Sequence, residues 1–380
     1  MRVLIAPDKF KGSLTALEVC KSIEEGLHAS LPEANCVLFP LADGGEGTLE
    51  ILTRHADGNF IIIKVHDPLF RLRDASYGIS SDGKTAFIDM AEASGLKLLN
   101  ASERSAMKAS TFGTGELIRD AISRGVTDIV VGIGGSATND GAAGAALALG
   151  YQFLDEKGSE INPVGGNLIH INAIRTDNVN RPLKSIRFTA ICDVENPLTG
   201  PNGAAFVYGP QKQATPEQLI LLDDGLKNLA KVIHRDLGVS ISDVPGAGAG
   251  GGFGGGLIAF FNGTLKKGIE IVFQYTGFEN EVKRADLIIT GEGKLDTQTL
   301  QGKVVAGVAA MGKKHHKKVV CVTGSNELSK GEIEELGIFK VLTLVEHTSK
   351  EMAMNHASDI LKKVVMSLTI DGLDFSGTIK

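Results

Sequence analysis

The feature that most constrains this chain is an alternation of short apolar runs with glycine- or acid-bearing loops and helix-like periods. Runs of strand length recur at residues 3–6, 36–39, 129–131, 287–290, 319–323 and 341–345. They are apolar on both faces, as strands of a parallel sheet covered by helices on each side must be. After the first run, Ser13 and Thr15 offer N-caps, Glu18 follows, and Ile23 and Leu27 continue an apolar stripe. The chain therefore opens as strand, loop, helix.

Two stretches depart from this texture. Residues 61–90 carry short alternating runs broken at Asp67-Pro68 and Asp82-Gly83, the pattern of antiparallel strands joined by turns. Residues 151–262 hold further short strands, an acidic helix near 217–237 and a glycine tract. The reading is an α/β protein of two α/β domains with a cleft between them, as 380 residues allow. Residues 1–59, 101–150 and 265–380 are expected to form a doubly wound parallel-sheet domain, and residues 60–100 and 151–264 an inserted mixed-sheet domain.

Composition excludes several function classes. A net charge of -6 lacks the basic footprint of a nucleic-acid binder. The uncharged window 244–265 is dominated by glycine, which argues against a membrane span, and the N-terminal apolar run is too short for a signal peptide. Cys20, Cys36, Cys192 and Cys321 are scattered singly, which fits neither a zinc site nor a disulfide framework and suits a reducing, cytoplasmic setting. Glycine, at 47 residues, is nearly twice its usual share of about 7%, so it must concentrate in particular loops.

Two of those loops imitate nucleotide motifs. Residues 78–85 match G-x-x-x-x-G-K-[ST], but strand-like sequence flanks them and Asp82-Gly83 is a preferred hairpin turn, so a hairpin is expected. Residues 132–137 fit the looser dinucleotide fingerprint after a strand. Ser136, Thr138, Asn139 and Asp140 crowd that turn with hydroxyls, an amide and a carboxylate, which better suits a phosphate or carboxylate with its metal. A dinucleotide site and a plain helix cap stay open beside this reading.

Loops of similar character follow other strands. They carry Asp8, Lys9 and Lys11; Asp43 and Glu46; and Gly291, Glu292, Gly293, Lys294 and Asp296. Loops at the carboxyl ends of parallel strands converge on one crevice. Carboxylates for metal, ammonium groups for phosphate and an acid to accept a proton are the mixture phosphoryl transfer requires. Asp193, after the apolar run 188–191, adds a further acid, and Lys212 a loop lysine.

Taken in order, Ala6-Pro7-Asp8-Lys9-Phe10-Lys11-Gly12-Ser13, Ala42-Asp43-Gly44-Gly45-Glu46-Gly47-Thr48, Thr111-Phe112-Gly113-Thr114-Gly115-Glu116-Leu117, residues 132–141, 192–197, Gly209-Pro210-Gln211-Lys212 and residues 290–296 resemble the signature blocks of the bacterial glycerate kinase family, type 1. The resemblance implies ATP-dependent phosphorylation of D-glycerate with Mg2+, usually at the 2-hydroxyl, and a flavodoxin-like domain beside a distinct α/β domain. Gln213 stands where glycine is more frequent.

On that basis Gly134, Gly135, Ser136, Asn139, Gly291, Gly293 and Lys294 are expected at the ATP phosphates, and Asp140, Glu292 and Asp296 at the metal. Lys9, Asp43, Arg71, Arg73, Thr114 and Lys212 are expected around the substrate. Asp193, its rival Asp8, and Lys11 are the catalytic candidates. The alternatives are an NAD(P)-dependent hydroxy-acid oxidoreductase, resting on the loop at Gly132, and a non-catalytic organic-acid sensor. A homo-oligomer is left open.

Overall fold

The computed structural model describes residues 1–45, 47–179, 183 and 185–368, with Gln301 described by its backbone alone. Among these residues the strands are β1 (Arg2–Ile5), β2 (Asn35–Leu38), β3 (Asn59–His66), β4 (Leu72–Ile79), β5 (Thr85–Asp89), β6 (Asp128–Gly132), β7 (Gln152–Leu154), β8 (Ala173–Arg175), β9 (Arg187–Ile191), β10 (Thr264–Lys266), β11 (Leu287–Leu295), β12 (Lys318–Asn326) and β13 (Lys340–Thr343). They belong to two compact units, one of residues 1–43 and 269–380, the other of residues 44–268.

The first unit is a five-stranded sheet in the order β13-β12-β11-β1-β2, parallel throughout. Numbered within the unit and read from β2, the order is 2-1-3-4-5, the doubly wound flavodoxin-like arrangement. Val3, Ile5, Ile289 and Val320 pack with Val19, Ile23 and Leu27 of the helix Ala16–Ser30 and with Leu361 and Val365 of the helix Ala357–Met366. Cys321 and Leu295 pack with Val305 and Ala309 of the helix Val304–Lys314. Val320 and Cys321 are neighbours in β12 and so point to opposite faces, which puts the two clusters on the two faces of one sheet. The first helix begins at a capping box in which Thr15 and Glu18 satisfy each other's backbone N–H groups.

The second unit is built on a six-stranded sheet in the order β10-β9-β6-β5-β4-β3, with β7 and β8 as a separate pair. The run from β10 to β5 is parallel, and β4 and then β3, at the edge, continue it antiparallel. The match at residues 78–85 is the β4–β5 hairpin, with Asp82 accepting from Ser80 and Lys84 inside the turn. The acidic helix is Pro216–Leu237, opened by Thr215 and Gln218 as a capping box with proline in its first turn.

Two boundaries differ from the sequence expectation. Residues 44–59 and 101–150 lie in the second unit, because β6 pairs with β5 on one side and β9 on the other. A strand buried on both faces is apolar whichever parallel sheet receives it, so apolarity alone does not assign it. Second, β11 does not end near residue 290 but continues to Leu295, paired with β12 as far as Asn326. Glycine at 291 permits that close pairing, since a Cβ there would collide with the Val322 carbonyl.

Candidate active site

In the first unit, chain order reverses between β1 and β11, and ligands of open α/β sheets bind outside the carboxyl ends of strands at such a point. Asp8 leaves β1 there, its N–H donating to the Gly291 carbonyl at 2.8 Å and its Oδ1 accepting from the Lys9 N–H at 2.7 Å. Glu292 is delivered by β11 and accepts the Thr299 hydroxyl at 2.6 Å. Both carboxylates are buried. Burial first, and then the Asp43 carboxylate, push Asp8 up to about 7. Burial likewise pushes Glu292 up to about 7, with Asp296 and Asp43 adding to the rise and the Thr299 hydroxyl and Lys303 opposing it. Asp8, Asp43 and Glu292 thus form a knot of mutually repelling acids at the switch point. Glu46 lies outside the described residues.

In the second unit, the loop after β6 is built around a buried lysine. Lys212 is 1% exposed, and its Nζ donates to Ser136 Oγ at 3.0 Å and to the Thr138 carbonyl at 2.6 Å. Burial pulls its ammonium down to about 7, with Asp140 drawing it the other way. Asp140 is fully buried. Its Oδ2 accepts from the Thr111 N–H at 2.7 Å, the Thr111 hydroxyl at 2.8 Å and the Gly144 N–H at 3.3 Å. Despite those donors, burial raises it to about 6. Thr138 Oγ1, both polar atoms of Asn139 and Asp140 Oδ1 are buried with no protein partner. Gly134 and Gly135 are exposed at the tip of the loop.

The glycine tract braces this loop from behind. Gly250, Gly251 and Gly252 take φ of 64°, 74° and 88°, the left-handed region that favours glycine. A Cβ on Gly251 would strike the Thr138 carbonyl, and the Gly251 carbonyl accepts the Gly141 N–H at 3.1 Å. Close backbone approach is therefore the observed use of the tract.

Asp193 stands at the carboxyl end of β9 with Oδ1 accepting the Gly268 N–H at 2.9 Å. Gly44, at φ 97°, makes room for it, since a Cβ there would overlap Asp193 Oδ2.

Other expected residues have partners within the protein. Asp140 is held through Oδ2 by Thr111 and Gly144, while its Oδ1 has no protein partner. Thr114 is buried with its hydroxyl against Ser94 at 2.7 Å. Arg71 is held by Asp67 and Glu103, both at 2.6 Å, and Arg73 donates to the Asp74 carbonyl. Lys294 is exposed and paired with Glu327 at 2.8 Å, more loosely with Asp296 at 3.5 Å. Asp296 is held below the usual carboxylate range by the Gln298 N–H in a local turn. Gly293 is half-buried in β11, while Lys11 is exposed in the turn after Phe10. Thr299 and Lys303 stand beside Glu292 and carried no sequence signal, being ordinary polar residues outside any glycine loop.

The geometry also weakens the dinucleotide reading. A pyrophosphate loop opens directly into its helix, whereas here Gly141 and Ala142 take positive φ and the helix Ala143–Ala148 starts only afterwards, without a side-chain cap. No helix among the described residues is long and apolar enough to cross a membrane.

Residues 3–370 match the glycerate kinase family. The chain is 46% identical over 91% of its length to the glycerate 2-kinase of Escherichia coli K12, covering 91% of that protein. It is 42% identical to a glycerate kinase of Halalkalibacterium halodurans, with 97% of each chain covered. A crystal structure from Salmonella typhimurium LT2, named for glycerate kinase 2, superposes with a TM-score of 0.88 at 41% identity, covering 97% of both chains. The chain belongs to the glycerate kinase family.

Proposed function

We propose that the protein transfers the γ-phosphoryl group of Mg-ATP to the 2-hydroxyl of D-glycerate, giving 2-phosphoglycerate and ADP. The observation that carries this reading is the Asp8, Asp43 and Glu292 knot at the switch point of the first sheet. A nucleotide polyphosphate cannot approach three acids without a cation, and a kinase substrate brings one. The donors are hard oxygens, as Mg2+ prefers. When bound, Mg2+ neutralises charge developing on the β- and γ-phosphate oxygens. Asp8, Asp43 and Glu292 would hold it, in place of Asp140 and Asp296, while Lys9 and Lys11 offer ammonium groups to phosphate.

Asp193 takes the hydroxyl proton in this reading. Burial and negative neighbours raise Asp8, and a cation would reverse that effect, so Asp8 belongs with the metal. Asp193 is fixed by Gly268 and by the space left at Gly44, the orientation a general base requires. Ser136 and Lys212 supply an N–H and O–H surface for the anionic group of a ligand. ATP chemistry with free thiols suits a cytoplasmic location.

The test is to incubate the protein with D-glycerate, ATP and Mg2+ and identify the product by phosphorus NMR. 2-Phosphoglycerate is expected. The 3-isomer would overturn the position of transfer, and binding of glycerate without any phosphoglycerate would favour a sensor.

A further inference from the structure

We propose that Glu24, His28 and Cys36 of the first unit form a binding site for a borderline-soft divalent cation, Zn2+ being the simplest occupant. Each offers one ligand atom, and these atoms all lie within 4.8 Å of one another. Glu24 and His28 are one turn apart on the helix Ala16–Ser30, so both project from the same side. Cys36 comes from β2, where it pairs in register with Val3 of β1.

The elements that carry the ligands are firmly placed. The helix is capped at Thr15, and Val19, Ile23 and Leu27 are fully buried. Zinc–ligand bonds of about 2.0–2.3 Å put tetrahedral ligands roughly 3.3–3.8 Å apart, so rotamer adjustments of the two helix side chains would close the shell. Glu24 and Cys36 are half-buried and His28 is exposed, which leaves an entry path.

A second observation bears on the histidine. His28 Nε2 lies 3.2 Å from the Ala34 carbonyl. Metal-binding histidines commonly donate one ring N–H to a backbone carbonyl, which fixes the tautomer and leaves the other nitrogen's lone pair for the ion. The donor chemistry then selects the metal. A thiolate, an imidazole and a carboxylate suit Zn2+ or Co2+ and not Mg2+ or Ca2+, so the site is chemically separate from the acids at the switch point. Three protein ligands leave a fourth position for water. A bound ion would tie the helix to β2, which is an edge strand of its sheet and leads toward Asp43.

The experiment uses the full-length protein, freed of metal with a chelator and titrated with Co2+. Tetrahedral ligand-field absorption and a thiolate-to-cobalt charge-transfer band are expected, displaced by Zn2+ and unaffected by excess Mg2+. Cys36→Ser should abolish the charge-transfer band, and His28→Ala should weaken Co2+ binding by roughly tenfold or more, both with unchanged circular dichroism and phosphoryl-transfer rate. Absence of the bands in the parent protein overturns the proposal. So does a charge-transfer band that survives Cys36→Ser, because the thiolate would then belong to another cysteine.

Discussion

Replacing Glu292 by Gln should abolish or strongly reduce phosphoryl transfer and, without metal, make the protein more stable. Glu292 is buried beside other acids and is raised from 4.5 to about 7. At about 1.36 kcal/mol per pH unit, holding it ionised in the fold costs about 3 kcal/mol above pH 7, an upper bound because Asp8 and Asp43 share the same repulsion. Gln removes the charge and keeps an oxygen for the Thr299 hydroxyl. The pH dependence fixes the sign. Below about 4.5 the acid is protonated in both folded and unfolded chains, and the variant gains nothing. Between about 4.5 and 7 the folded state holds a proton that the unfolded chain has released, so the parent loses stability as pH rises and the variant does not. Above about 7 the gap is constant. Urea midpoints of parent and Glu292→Gln across pH 4 to 8, without and with Mg2+, measure it. The gap should be about 1–3 kcal/mol at pH 8 and shrink when Mg2+ binds the parent. A variant that is no more stable at pH 8, or a gap that ignores pH, refutes the account.

Further outcomes separate the remaining roles. Asp193→Asn should lower kcat by roughly 10²-fold or more with Mg2+ affinity kept, while Asp8→Asn should weaken Mg2+ binding; if Asp193→Asn stays within a few fold and Asp8→Asn is inactive, the roles are exchanged. Gly251→Ala should destabilise the protein by more than about 3 kcal/mol, left-handed strain of about 1–2 kcal/mol plus the collision with Thr138, whereas Gly83→Ala, with φ 69° and open space around it, should cost only the strain; equal losses in thermal melts would show that the brace is unimportant. Binding of Mg2+ near pH 7 should release protons from the Asp8 and Glu292 site, read by calorimetry in buffers of different ionisation enthalpy, and buffer-independent heats would contradict that.

The fold was legible where physics acts locally. Apolar runs marked β1, β2, β6, β12 and β13, and Asp82-Gly83 revealed a hairpin inside a phosphate-loop pattern. What remained hidden was which strands pair, since β6 is fully buried between two neighbours and would read the same in either sheet. At the candidate site, Asp8, Asp43, Glu292 and Ser136 stood out because acids and hydroxyls recur in glycine loops that follow strands, and Lys212 because it lies in a signature block. Type could not tell a group facing a ligand from a brace. Asp140 and Thr114 occupy signature blocks, yet their partners are Thr111 and Ser94, contacts made across sequence separations that no local pattern encodes. Cys36 was invisible for the same reason, its neighbours arriving from a helix that precedes it.

The two units hold charge in opposite ways. In the first, acids crowd until Asp8 and Glu292 retain protons near neutrality; in the second, a lysine is buried so deeply that it sheds its proton there. Neither arrangement helps the fold, because burying a charge without its partner opposes folding. Each is relieved by a particular kind of ligand: a cation drives the protons off the acids, and an anion brings one onto Lys212. Mg2+ with a phosphate or carboxylate offers both kinds of relief, whereas a dinucleotide without metal offers only the anion. The electrostatics of these groups thus argue for metal-nucleotide chemistry on grounds independent of any motif.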